Sequence, residues 1–193
     1  MVLTPIPRER LDDALDQFTA GLMREARAAF AAIRATSAER AAGTEAERHQ
    51  LAALDVARAY GMAVHPEGIA CAFNWDGAAL NGGTEAYVIL HEVAHYRLAP
   101  PERRALPDFG LGPGPDTRDR EGAERAVSVA VLEREADEAA ASLLGILWEA
   151  KLDQPALASF LDQNWLEGLE RSAAAHFTAV VERLLAAGLW SSG

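Results

Sequence analysis

Tyr87-Val88-Ile89-Leu90-His91-Glu92-Val93-Ala94-His95-Tyr96 decides how this chain is read. Apolar residues occupy several helical faces of the stretch, so it predicts a buried helix, starting near Thr84 and ended by Pro100-Pro101. Within it stands His-Glu-x-x-His. Helix positions four apart lie one above the other, so both imidazoles point to one side. At that spacing His91 and His95 can hold a divalent metal, with Glu92 beside the open coordination position. If they were only core histidines, Glu92 would be buried beside them without a charged partner, which is costly.

A metal site of this kind needs a third protein ligand. The next acidic cluster downstream is Glu133-Arg134-Glu135-Ala136-Asp137. Glu133 and Asp137 are four apart, so one helix face can present a carboxylate ligand and, a turn later, an acid that fixes a ligand imidazole through its free N–H. Glu135 is the alternative third ligand. A di-iron carboxylate site would want Glu-x-x-His twice. Glu92 and His95 supply one copy, and none of His49, His65 and His176 has a glutamate three residues earlier.

Working outward, Arg8 to about Ala35 has the apolar period of one long amphipathic helix, and Thr44 with Glu47 forms a capping-box pattern opening a second, which Gly61 closes. Met62–His65 and Ile69–Phe73 read as short strands around a Pro66-Glu67-Gly68 turn. Pro107–Arg120 reads as a Gly/Pro/Asp loop, and a helix from about Glu121 to Lys151 follows. Asp153 with Pro155 opens a further helical stretch, and His176–Ala187 closes the chain's pattern. The fold expected is mainly α (α+β): one domain over residues 1–193, with a small edge β element, a zincin-like His-Glu-x-x-His helix and the helices of residues 1–60 packed on it.

The 193 residues carry a formal net charge of −11, which argues against nucleic acid as a partner because phosphate neutralisation needs a basic face. No apolar run reaches membrane-spanning length, and Met1–Arg10 lacks the apolar segment of a secretory signal. The single cysteine, Cys71, falls in an apolar strand and reads as a buried, inert thiol; it fits a reducing cytosol, so a cytoplasmic location is expected. His49 lies on a polar helix and is expected to face solvent, His65 to serve a turn, and His176 to be structural. Charges alternate around the Gly/Pro loop at Arg103, Arg104, Asp108, Asp116, Arg118 and Asp119. They read either as ion pairs that staple the loop or as the mouth of a substrate pocket.

Two resemblances rest on these residues. His-Glu-x-x-His followed by Glu-x-x-x-Asp resembles the gluzincin metallopeptidases. That likeness implies His91, His95 and Glu133 as metal ligands, Glu92 as general base and Asp137 orienting His91. The 29 residues from His91 to Asp119, with Arg103-Arg104, Asp108-Phe109-Gly110 and Pro115-Asp116-Thr117-Arg118-Asp119, resemble the elongation factor P hydroxylases. That likeness implies Fe(II) and dioxygen chemistry on a modified lysine of a translation factor, with Arg103, Arg104, Asp108, Asp116 and Arg118 shaping the pocket. The expected function is therefore a non-haem iron oxygenase acting on a protein, peptide or small molecule. The alternative is a zinc (Zn2+) metallopeptidase.

Overall fold

The computed structural model describes residues 6–66, 68–167 and 172–191; Met1–Pro5 of the N-terminal stretch lie outside the described residues. The fold is mainly helical, as the periodicity predicts. In chain order come α1 (Arg8–Ala20), α2 (Arg24–Arg34), α3 (Thr44–Ala59), β1 (Ala63–Val64), β2 (Ala79–Leu80), α4 (Ala86–Leu98) and the single turn α5 (Pro101–Arg104). A 3-10 turn at Pro107–Gly110, α6 (Arg120–Arg125), α7 (Val131–Lys151), α8 (Ala156–Asp162) and α9 (Ala173–Ala186) follow.

Helix α4 lies between α3 and α7, which explains why Val88, Ile89, Leu90, Val93 and Ala94 are buried although they cover more than one face. The far side of α7 packs on α2, α8 and α9. Two apolar clusters result. One is built on Phe18, Phe30, Phe160 and Phe177, whose rings meet at 4.8–6.1 Å between centroids. Each ring of that kind stabilises the fold by roughly 1.5–3 kcal/mol through burial. The other gathers Met62, Trp75, Leu80, Ile89, Leu90 and Phe109 around the start of α4. Trp148 packs against both clusters.

Four expectations are corrected. The long helix over Arg8–Ala35 is broken at Gly21–Met23, because α1 and α2 must both turn their phenylalanines onto α8 and α9. Thr44 is the first helical residue rather than the cap, and no side chain caps α3. The helix from Glu121 is interrupted between α6 and α7, where the Ser128 N–H donates to the carbonyl of Gly110 at 2.9 Å instead of continuing a helical ladder. Finally, Ile69–Phe73 forms no strand. Ile69 is exposed and Cys71 and Phe73 are only half-buried, so no face of that segment is covered fully enough to hold it extended, and Cys71 lies in irregular chain rather than in a strand. The β element present is β1 running parallel to β2, with an isolated antiparallel bridge between Trp75 and Leu80.

Candidate metal centre

The two imidazoles of α4 stand as their spacing predicts, with Nε2 of His91 and Nε2 of His95 3.0 Å apart. The carboxylate that α7 brings to them is Glu138. Its Oε2 is 3.4 Å from His91 Nε2 and 3.3 Å from His95 Nε2. Ligand atoms held at roughly 2.1 Å around a tetrahedral ion lie about 3.4 Å from one another. The three atoms therefore already bound one face of a coordination shell, and their chemistry, two imidazole nitrogens and one carboxylate oxygen, fits zinc or iron(II).

Neither expected third ligand occupies this place. Glu133 is largely exposed and sits 3.8 Å from the Arg103 guanidinium, while Glu135 is exposed and absent from the cluster. Asp137 also departs from its expected role of orienting His91. It is buried, and it accepts from Arg103 at 2.5 Å and from Arg183 at 2.6 Å. The physical reason is helical phase. Gly145 turns towards α4, so close that a Cβ there would lie 3.2 Å from the His91 nitrogen, and the buried Ala141 is one turn before it on α7. Glu138 is seven and three residues before those positions, on the same stripe, whereas Glu133 and Asp137 point along the flank towards α5 and α9.

Packing fixes the imidazoles further. Phe109 stacks on His95 at 5.5 Å and, on its other side, on Trp75 at 5.6 Å. The Trp75 indole donates to the Arg104 carbonyl at 2.8 Å. Asp108 and Phe109 both have positive φ, 45° and 55°, a conformation that is costly for side chains of this size. It persists because the Asp108 N–H donates to the Trp75 carbonyl at 2.9 Å and the Thr117 hydroxyl donates to the Asp108 carboxylate at 2.6 Å.

Electrostatics separate the carboxylates. Burial works against the charge on Glu138, yet hydrogen bonds from His91 and His95 outweigh it and hold the group well below the usual carboxylate range. Burial alone disfavours a charged His91, but the hydrogen bond to Glu138 and the nearby Glu92 raise its pKa. His95 is pushed down by burial and by His91, which leaves it neutral and suited to ligation. Glu92 is buried, and desolvation, with Asp108 and Glu138 adding like charge, pushes its carboxyl up to about 7 against the neighbouring His91 and a hydrogen bond from Asn74.

The three ligand atoms open onto a cavity of about 770 Å³, whose wall includes Asn74, Glu92, Asp108, Asp116, Arg134 and Gln163. Of the five pocket residues expected, Asp108 and Asp116 line it. Arg103 does not, because it is buried against Asp137. Arg104 lies over the Tyr96 ring at 4.6 Å and donates to the Ala99 carbonyl, outside the wall of the metal cavity. Arg118 lines a smaller cavity of about 270 Å³ that shares Asn74 and Asp116 with the first. In the sequence, Phe109 enters only as part of the Asp108-Phe109-Gly110 pattern, and neither Glu138 nor Asn74 is singled out. For Glu138 a signal existed in its spacing to the small residues Ala141 and Gly145.

The other histidines are placed as follows. His65 meets Asp76 at 2.7 Å beside the strand end, and His176 stacks on Trp165. His49 is buried rather than solvent-facing, because α3 turns that face onto the chain before α8. No helix among the described residues is long and apolar enough to cross a membrane. Comparison with protein-family models, curated proteins and solved structures finds no match for this chain.

Proposed function

We propose that this chain is a mononuclear metalloenzyme in which His91, His95 and Glu138 hold a divalent cation and Glu92 takes a proton during hydrolysis of a carbonyl substrate. The observation that carries the reading is Glu92, a buried carboxyl pushed up to about 7, on the same helix as both imidazoles and in the wall of the same cavity. A general base works best with a pKa near the operating pH, and burial with like-charged neighbours gives Glu92 that value. When bound, the metal would supply Lewis acidity and ease the deprotonation of water. The chain does the rest. Asn74 orients Glu92, Phe109 keeps the His95 ring in place, and Asp108 with Glu138 disfavours early ionisation of Glu92.

A second reading, iron(II)-dependent hydroxylation, is favoured by Asp108 and Asp116. Both come from the segment that resembles the elongation factor P hydroxylases, and both line the metal cavity. Metal analysis of protein purified without added metal, joined to oxygen-uptake and peptide-cleavage assays, separates the two. Zinc, with cleavage reduced at least 100-fold by Glu92→Gln and an acid limb at or below about pH 7, supports hydrolysis. Iron with substrate-dependent oxygen consumption overturns it in favour of the second reading.

A further inference from the structure

Gln163 lies in the wall of the metal cavity, just past the end of α8. Two tethers fix its place there. On one side the Ser142 hydroxyl reaches its Oε1 at 2.5 Å. Ser142 is four residues after Glu138 on α7, so Gln163 is held about one helical turn, roughly 6 Å along the axis, from the carboxylate of the metal centre. On the other side, the neighbouring Asp162 takes the Arg40 guanidinium at 2.9 Å, and that guanidinium lies 3.8 Å from the centre of the Tyr87 ring. Tyr87 is four residues before His91 on α4 and lines the same cavity. Gln163 therefore sits where the turn before His91 and the turn after Glu138 come together.

The hydrogen bonds also fix which way round its carboxamide stands. The Trp165 indole, a donor with no acceptor, gives its N–H to Ser142 Oγ at 2.9 Å. Ser142 then has its own proton to give, and among the described residues Gln163 is the acceptor it reaches. A separation of 2.5 Å belongs to an O–H···O bond and is shorter than N–H···O bonds normally become. Oε1 is therefore the acceptor, and the amide nitrogen is the other branch.

Both N–H groups of that nitrogen are free. None of the described residues accepts from either, and the nitrogen is not among the sealed, unpartnered atoms of the fold, so the half-buried side chain presents it to the cavity. Asn74, the other carboxamide in the wall, is engaged with Glu92. The Thr117 hydroxyl is likewise committed, to Asp108 at 2.6 Å. Gln163 is thus an oriented donor beside the metal centre with no acceptor of its own.

We infer that the Gln163 amide nitrogen donates to a second, neutral carbonyl of the substrate, about two residues along an extended chain from the carbonyl presented to the metal, and so favours chains with that second carbonyl over simple esters and amides. The inference rests on the metal reading of His91, His95 and Glu138 and adds to it the group that holds the far end of the substrate. The turn between Glu138 and Ser142 is close to the rise of two extended residues, ~6.6 Å. Glu92, Asp108 and Asp116 in the same wall disfavour a charged acceptor, which leaves a neutral carbonyl. Because Ser142 and Trp165 hold the carboxamide before the substrate arrives, little side-chain freedom is lost on binding.

The test is calorimetric titration of the zinc-loaded full chain with acetohydroxamate, N-acetyl-diglycine hydroxamate and octanohydroxamate. The first offers the metal-binding group alone, the second adds carbonyls along its chain, and the third matches that length without them. Wild type is expected to bind the diglycine compound at least about fivefold more tightly than acetohydroxamate. Gln163→Met keeps the length of the side chain, while Gln163→Glu keeps the acceptor for Ser142; both remove the N–H donors. Each is expected to lose the preference, and Gln163→Met should bind acetohydroxamate and octanohydroxamate as wild type does, whereas a merely structural role would move all three. In isotope-labelled protein the Gln163 side-chain amide signal, assigned by its absence in Gln163→Met, should shift downfield with the diglycine compound. The inference alone is overturned if acetohydroxamate binds but the preference is missing or survives in both variants, or if octanohydroxamate weakens as much as the diglycine compound in Gln163→Met. If no hydroxamate binds zinc-loaded protein, the metal reading falls and the inference with it.

Discussion

Glu138 and Glu149 occupy one stripe of one helix and meet opposite fates. They are eleven residues apart, about three turns and roughly 16 Å along α7. Glu138 keeps nearly half of its side chain exposed and reaches two imidazoles, which together hold it firmly ionised. Glu149 is almost fully enclosed, finds one guanidinium 3.7 Å away that is committed to Asp162, and is pushed up to about 7. What a carboxylate becomes in this fold depends on its burial together with the partners that neighbouring helices bring. A site made by two helices crossing gathers ligands; an enclosed place between a helix and a turn leaves a carboxyl without a full partner.

The largest effect should come from removing the partnered acid. Glu138→Ala leaves two imidazoles facing an incomplete shell, so metal affinity should fall by more than the roughly 10–100-fold typical of losing a supporting hydrogen bond. Glu133→Ala and Glu135→Ala should keep full metal stoichiometry. Equal loss in the Glu133 variant would restore the third ligand expected from the Glu-x-x-x-Asp spacing.

Next comes the brace beside Glu138. Asp137 is clamped by Arg103 and Arg183, and Arg103 is itself buried, with Nε lacking a partner among the described residues. Asp137→Ala strands that cation, and removing one partner of a buried pair costs about 3–5 kcal/mol. Chemical denaturation should show that loss. A much smaller change would mean that Arg103 finds Glu133 as a substitute, since they are already 3.8 Å apart.

The enclosed acid gives a pH signature. Glu149 ionises at about 7 in the folded chain and near 4.5 when unfolded. Below 4.5 it is neutral in both states and neutral in effect. As pH rises from 4.5 to 7 the unfolded chain gains an ionised, solvated carboxylate that the folded chain resists, so stability drains away and the penalty is complete above 7. A shift of that size corresponds to something on the order of 3 kcal/mol. Glu149→Gln removes it, so the variant should match wild type near pH 4.5 and exceed it increasingly up to pH 7. A variant less stable than wild type at pH 8 would show that Arg40 stabilises the ionised form after all.

How much of this was legible in the sequence follows from the range of each interaction. The His91–His95 pair and the buried α4 depend on spacing within one helix, and both were readable. So was the mainly helical class. Glu138 was not, because which face of α7 meets α4 is set by packing across the helix pair. Counting acidic residues four apart found Glu133 and Asp137 and ignored the small residues Ala141 and Gly145 that mark the crossing. The Asp108-Phe109-Gly110 segment was noticed as a pattern, but its work depends on Trp75 and Thr117, distant in sequence. The burial of His49 has the same cause: its polar neighbours on α3 say nothing of the turn before α8 that covers it.

The smallest effect should come from the point between the two glutamates. Gly145 lies seven residues after Glu138 and four before Glu149, where α7 passes close to the backbone of α4. An added Cβ would stand 3.2 Å from the His91 nitrogen and 3.3 Å from its Cα, and backbone must yield by a few tenths of an ångström. Gly→Ala in a helix gains about 1 kcal/mol of propensity, while crowding a close-packed contact costs about 1–3 kcal/mol. The two nearly cancel in global stability. They do not cancel at the metal centre, because the displaced backbone is that of His91 itself. Gly145→Ala should therefore leave the unfolding free energy within about 1–2 kcal/mol of wild type, yet weaken metal binding several-fold. If metal affinity is unchanged while stability rises, the α4–α7 crossing does not set the spacing between Glu138 and the imidazoles, and the contrast between the two carboxylates must rest on their local partners alone.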